Sequence, residues 1–396
     1  MIKTVSMLLE GTFNEASAPL FKKVEDEYII SSKDGAEFSA GMYCGKIDVS
    51  DCPEGLLKMS VSVETMGDST YPQVLAFFKD SDGNLLQSDY FRKNGKKFVL
   101  KTEIPQGAKT LGLELRFTCY GKGSVTYSNP SVEITEKEPH RIVRVASAFI
   151  DKKGNFEDNL KNTLAVIEKA GNSLEKPDIL CFTECVLDLS CKDRFYITED
   201  GNEMALVKEA TKKAGMYVIF TSHEIDEKLY RYNTSFLIDP KGEIVGKYRK
   251  VFLTGSGEYR GGMTPGRDFP VFETSFGKIG MMICWDQWFP EGARELCRKG
   301  AEIIFWSTRG FHEPRAVTRA MDNGVYFAVS HSNPENCGII EPAWGKFIAR
   351  ADKTEVQGFV SAEIDLDERL ISQYKSFGSN GANDRDLVVA ESGIIL

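Results

Sequence analysis

Ile279-Gly-Met-Met-Ile-Cys-Trp-Asp-Gln-Trp-Phe-Pro-Glu-Gly-Ala-Arg-Glu-Leu-Cys-Arg-Lys299 reads as two pieces of structure in one short stretch. The apolar run ending at Cys284 predicts a strand. Pro290 and Glu291 suit the first turn of a helix, where proline costs no hydrogen bond and a carboxylate meets the positive end of the helix dipole. The helix is expected over 291–299, and Ala301-Glu-Ile-Ile-Phe-Trp306 returns to an apolar strand. Strand, helix and strand in that order form the repeating unit of an α/β domain, in which a sheet is covered by helices.

The same grammar extends outward in both directions. Upstream, a β-rich run over 141–150 precedes Phe156, Leu160, Leu164 and Ile167 at helical spacing. A strand over 178–183, a helix over 204–214, a strand over 217–221 and a hairpin over 233–250 around Asp239-Pro-Lys-Gly242 follow. Downstream, 316–323 and 325–330 repeat the helix and the strand. Before residue 139 the pattern is different: short extended runs at 56–63, 73–78, 97–101, 110–118 and 124–127 lie between Gly, Asn, Asp and Pro turns. That is the pattern of an all-β sandwich, jelly-roll-like in its turn spacing. The expected division is an accessory β domain over 1–138 and an α/β domain over 141–396, joined near Pro139.

Charge and cysteine usage narrow the function classes. Acidic residues outnumber basic ones by 58 to 49, and a net charge of -9 disfavours nucleic acid and anionic membrane as partners. No apolar run has the length of a membrane helix or of a signal-peptide core, so a cytoplasmic protein is expected. Nine cysteines form an odd set without the dense spacing of a disulfide scaffold, which fits reduced thiols. Cys181, Cys185 and Cys191 lie close together, but they lack the paired CxxC spacing of zinc sites and no histidine falls between them, so no metal is expected. The histidines at 140, 223, 312 and 331 do not form HExxH, no GxSxG elbow occurs, and the glycines of 255–266 lack the phosphate-loop pattern.

Three reactive residues fall at strand ends, where α/β domains project side chains into a ligand crevice. Glu184 follows Ile179-Leu-Cys-Phe182, Lys250 closes the hairpin, and Cys284 ends the strand quoted first. Hydrolysing an unactivated amide requires a nucleophile, a proton carrier and a stabiliser of the oxyanion, and a thiol, a carboxylate and an ammonium meet those three demands.

Cys284-Trp-Asp-Gln-Trp-Phe-Pro-Glu291 with Arg294 resembles the nucleophile motif of the nitrilase superfamily of carbon-nitrogen hydrolases. Pro177-Asp-Ile-Leu-Cys-Phe-Thr-Glu184 resembles its glutamate motif, and Tyr232-Asn-Thr234 leading to Gly246-Lys-Tyr-Arg-Lys250 resembles its lysine motif. The resemblance extends from about 141 to 365 and leaves the first 138 residues outside. It implies a four-layer α-β-β-α sandwich that forms homodimers or larger homo-oligomers. It further implies Cys284 as nucleophile, Glu184 as proton carrier and Lys250 facing the carbonyl oxygen. Glu258 would position Lys250 and the substrate carbonyl, and the Trp285 backbone N–H would bind the oxyanion.

The cycle needs no cofactor. The nucleophile motif is most like that of N-carbamoylputrescine amidases, so a small amide or ureido compound is the expected substrate. Trp288, Phe311 and His312 are candidate pocket residues. Nitrile hydrolysis by the same machinery is one alternative. Another is a carbohydrate-binding protein on a retired hydrolase scaffold.

Overall fold

The computed structural model describes residues 2–3, 7–12, 17–52, 55–67, 69–137 and 139–368. The end of the first expected domain at 138 and the stretch 369–396 of the second lie outside the described residues. Two compact units meet at Pro139 and His140 in the sequence.

The first unit is built from two antiparallel sheets. One runs in the order Leu20–Val24, Glu27–Ser31, Ser124–Glu136, Gly55–Met66, Lys97–Glu103 and Arg92–Asn94, with Ile2–Lys3 pairing beside Ser124–Glu136. The other runs Met7–Thr12, Phe38–Asp48, Thr110–Tyr120, Thr70–Lys79 and Leu85–Tyr90. Alternate residues of the central strands point inward, as the two-residue period of a strand requires. Leu57, Val61 and Phe98 of one sheet meet Phe78, Leu113 and Phe117 of the other in a single core. The unit is a β-sandwich.

The second unit has two further sheets. The first runs Ile244–Arg249, Arg231–Ile238, Tyr217–Ile225, Ile179–Cys181, Ile142–Phe149 and Gly358–Asp365. The second runs Val271–Glu273, Lys278–Ile283, Ile303–Thr308, Tyr326–His331, Gly338–Ile340 and Phe347–Arg350. Parallel pairing occurs at the centre of each sheet and where the short strand Tyr196–Ile197 joins Tyr217–Ile225. Val145, Ile179 and Ile219 of the first sheet pack with Met281, Ile283 and Phe305 of the second, so the sheets lie face to face. Leu180, Val218 and Phe236 point the other way, onto the helices Phe156–Gly171 and Asn202–Ala214. Ala293 and Leu296 of the helix Pro290–Arg298, with Ala316 and Ala320 of Glu313–Asn323, cover the outer side of the second sheet. The result is the α-β-β-α sandwich that the resemblance implied.

One side chain ties the helical layer to the loop that follows Glu184. Asn159, fully buried, donates from Nδ2 to Leu187 O (2.8 Å) and Leu189 O (2.9 Å), and its Oδ1 accepts from Lys153 N (3.1 Å). Leaving buried carbonyls unpaired costs about 1–3 kcal/mol each. Asn159→Ala is therefore expected to lower stability by about 2 kcal/mol or more, read as an earlier urea midpoint with unchanged helical content. An unchanged midpoint would mean that the loop does not depend on this tie.

Candidate active site

The carboxyl ends of the central strands of both sheets converge, and Thr183 Oγ1 donating to Thr308 O (2.6 Å) joins them there. Glu184 stands just beyond one strand, Lys250 just beyond Ile244–Arg249, and Cys284 just beyond Lys278–Ile283. The Lys250 backbone N–H is held by Asn233 O across the hairpin (2.9 Å). Cys284 adopts a left-handed conformation (φ 42°) that turns the chain sharply from strand into the 3-10 turn Cys284–Trp288. Asp286 stabilises this turn by accepting from Ile283 N (2.8 Å), Phe252 N (3.1 Å) and the Tyr248 hydroxyl (2.6 Å). Burial pushes the Asp286 carboxyl up to about 6.

The three strand-end side chains form one hydrogen-bonded cluster. Lys250 Nζ donates to Glu184 Oε1 (2.9 Å) and to both oxygens of Glu258 (3.0 and 2.9 Å), and the Cys284 thiol donates to the Glu184 carboxylate. Asn233 Nδ2 bridges the two carboxylates, at 2.8 Å from each. Glu258 is carried by the π-helical turn Gly255–Tyr259, where it exchanges hydrogen bonds with Thr254. It is buried and paired, not a solvated turn residue.

Charge states follow from this packing. Burial raises the Glu184 carboxyl, but the Lys250 charge and the hydrogen bonds from Lys250, Cys284 and Asn233 outweigh it and hold it below the usual carboxylate range. Burial would lower Lys250, and the charges of Glu184, Cys284 and Glu258 override it and raise it. Burial, with Glu184 next, pushes the Cys284 thiol up to about 12 against the pull of Lys250. The resting cluster is a neutral thiol beside an ionised carboxylate and an ammonium. Lys250 thus stabilises its two carboxylates instead of ionising the thiol.

A cavity of about 340 Å³ opens onto Cys284, Glu184, Lys250 and Glu258, within the range that suits a small ligand. A second polar string lies in its wall. His223 Nδ1 pairs with Asp188 Oδ2, its Nε2 lies 3.3 Å from Cys185 Sγ, and the Cys185 thiol donates to Asn233 Oδ1 (3.5 Å). Cys185, Asp188 and His223 bring three potential metal ligands within 4.8 Å of one another. The carboxylate and the sulfur face opposite ring nitrogens, however, so the arrangement is a hydrogen-bonded string and not a chelate around one point. This string escaped the sequence analysis, although His223 and Asn233 are direct partners across two antiparallel strands whose other residues, apart from Glu224 and Arg231 near one end, are apolar or hydroxyl-bearing. A polar pair in the middle of buried strands was the available signal.

Trp285 follows Cys284 in the turn, its ring 5.1 Å from that of Trp288. Trp288, Phe311 and His312 lie outside the cavity lining. Trp288 takes Arg315 over its face and has His312 beside it, while Phe311 stacks on Trp306.

Residues 142–370, more than half of the chain, match the carbon-nitrogen hydrolase family. The chain belongs to that family. Among the relatives of this carbon-nitrogen hydrolase is a 2-oxoglutaramate amidase of Bacillus subtilis (strain 168), 30% identical over 259 residues that cover 61% of this chain and 92% of that protein. An N-carbamoylputrescine amidase of Arabidopsis thaliana is 37% identical over a shorter stretch of 115 residues, 28% of this chain and 38% of that protein. In fold, the hydrolase is similar to Saccharomyces cerevisiae Nit3, a member of branch 10 of the nitrilase superfamily. The TM-score is 0.50 at 23% identity, over 57% of this chain and 90% of that one. Among the described residues, no helix is long and apolar enough to cross a membrane.

Proposed function

We propose that the protein hydrolyses a non-peptide carbon-nitrogen bond in a small linear amide or N-carbamoyl compound through a thioester on Cys284. The observation that carries this reading is the single buried cluster in which a thiol and an ammonium both hydrogen-bond one carboxylate beside the cavity. In the first half-reaction Cys284 Sγ attacks the carbonyl carbon as its proton moves to Glu184, and the oxygen takes up charge facing Lys250 and the Trp285 N–H. The carbon-nitrogen bond then breaks, and Glu184 returns the proton to the departing nitrogen. In the second half-reaction a water gives a proton to Glu184 and attacks the thioester. Glu184 passes that proton to the leaving sulfur, so the enzyme ends as it began. Glu258 and Asn233 hold Lys250 and Glu184 in place.

Ammonia release from a panel of short amides, N-carbamoyl amines, N-carbamoyl acids and nitriles tests the reading and sorts its substrate. No release from any amide or ureido compound would defeat it. The charge states add a second test. Because Glu184 is already ionised and the thiol is held high, the proton moves during attack and no thiolate needs to form beforehand. The expected kcat/KM is level from mildly acidic to mildly alkaline pH, with its acid limb below the ordinary carboxylate value of about 4.3. A rise centred near the ordinary thiol value of about 8.5 would instead mean that a preformed thiolate attacks.

A further inference from the structure

The cavity lining holds four cations and four carboxylates, but the pairing of its buried carboxylates leaves two of the cations without partners among the described residues. Glu184 and Glu258 are taken up by Lys250 and Asn233. Asp188 is taken up by His223 and by the Phe195 backbone N–H (2.7 Å). The remaining charged lining residues are Lys192, Arg194 and Arg309 against a single carboxylate, Asp193. Arg194 is occupied in donating to Gly257 O (2.5 Å), on the turn that carries Glu258. The Arg309 guanidinium and the Lys192 ammonium have no ion-pair or hydrogen-bond partner among the described residues.

Arg309 is well placed to meet a substrate. It follows the last residue of the strand Ile303–Thr308, and its neighbour Gly310 lies against the reactive sulfur: a Cβ built there would be 3.9 Å from Cys284 Sγ. Its charge is felt at the Cys185 and Cys191 thiols, on the wall formed by residues 185–194 that also bears Lys192. Among the described residues, the lining contains no Phe, Tyr, Trp, Leu, Ile, Val or Met. Nothing in it would cradle an apolar tail, and no aromatic face is present to receive an ammonium.

Resting on the hydrolase reading above, we infer that the substrate carries a carboxylate at the end remote from the scissile bond, bound by Arg309 with Lys192. The class is then a monoamide of a small dicarboxylic acid or an N-carbamoyl derivative of a small amino acid. A guanidinium offers two parallel N–H donors that match the two oxygens of a carboxylate. A carbamoylated diamine, by contrast, would bring its ammonium against two unpaired cations.

The test compares three amides of equal length that end in a carboxylate, its methyl ester or an ammonium. For the wild type, kcat/KM is expected to fall in that order. A hydrogen bond to a charged group is worth enough that Arg309→Ala should raise KM for the carboxylate substrate about 10- to 100-fold, with kcat changing far less. Arg309→Lys should recover part of that loss, and the ester should respond much more weakly than the carboxylate. A wild type that prefers the ammonium or the ester overturns the inference and leaves the hydrolase reading standing, as does an Arg309→Ala effect equal for all three compounds. Titrating the carboxylate amide calorimetrically into Cys284→Ala separates binding from turnover. Heat of binding that disappears in Cys284→Ala/Arg309→Ala supports the subsite even if the assigned chemistry fails, and no binding to Cys284→Ala overturns it.

Discussion

Cys284→Ala is expected to abolish hydrolysis while leaving the fold intact, with Glu184→Gln reducing kcat by about 10²–10⁴-fold. The two losses arise differently. Removing the sulfur removes the atom to which the acyl group would be bonded, and the other two cavity thiols are poor replacements: Cys185 is buried and held high by burial and by the charges of Glu184 and Asp188, and Cys191 is raised by burial and by Asp188. Glutamine at 184 keeps an oxygen for Lys250 and Asn233 but can no longer accept the thiol proton or return it to the leaving nitrogen. Ammonia release, measured with circular dichroism on each variant, checks both. Turnover retained by a folded Cys284→Ala protein would end the thioester mechanism.

The second large effect is on Lys250, whose replacement by methionine should cost both activity and stability. Lys250 is 1% exposed and lies between two carboxylates. Removing one partner of a buried ion pair costs about 3–5 kcal/mol because the other charge is left uncompensated. The pH dependence gives a sharper signature. In the wild type Glu184 sits below its unfolded value, so its contribution is fully present above the unfolded pKa and is lost as pH falls through the folded one. Without the ammonium, burial and the neighbouring carboxylate would raise a folded pKa instead. That contribution is present at low pH and is lost as pH rises. The stability gap between wild type and Lys250→Met should therefore narrow on acidification from pH 7 toward pH 5, read as melting temperatures. Adding Glu258→Gln should return part of the stability without returning activity. A gap that is constant with pH would show that Glu184 does not depend on Lys250 for its ionisation.

Much of the second unit was legible because its strands and helices differ in period and are punctuated by Gly and Pro. The hairpin around Asp239-Pro-Lys-Gly242 and the helix starting at Pro290 are formed by residues whose backbone preferences are local. The first unit yielded less. Strand Phe38–Asp48 buries Gly41 and Gly45, and buried glycines in a strand read as turns when their packing neighbours are unknown. The hairpin of Leu20–Val24 and Glu27–Ser31 turns through Glu25 at φ 51° instead of through Gly or Asn, which removes the usual turn signal.

In the site, Glu184 and Cys284 could be found because each follows an apolar strand, and Lys250 because it closes the hairpin. Asn233, His223 and Arg309 could not be ranked in the same way, because their importance lies in what they face across the cavity. The ionisation of Cys284 was not legible either. It depends on the balance between burial and two opposite charges, and only the fold sets that balance.

The left-handed backbone at Cys284 has an evolutionary consequence. A side chain at such a φ holds the chain in a conformation that glycine adopts without penalty. At this position, a drift toward greater thermal robustness and the retention of catalysis pull toward different residues, so glycine here would give a sturdier but inert protein. Selection for stability alone, in a laboratory library or in a lineage that no longer uses the reaction, would tend to erase the proposed nucleophile.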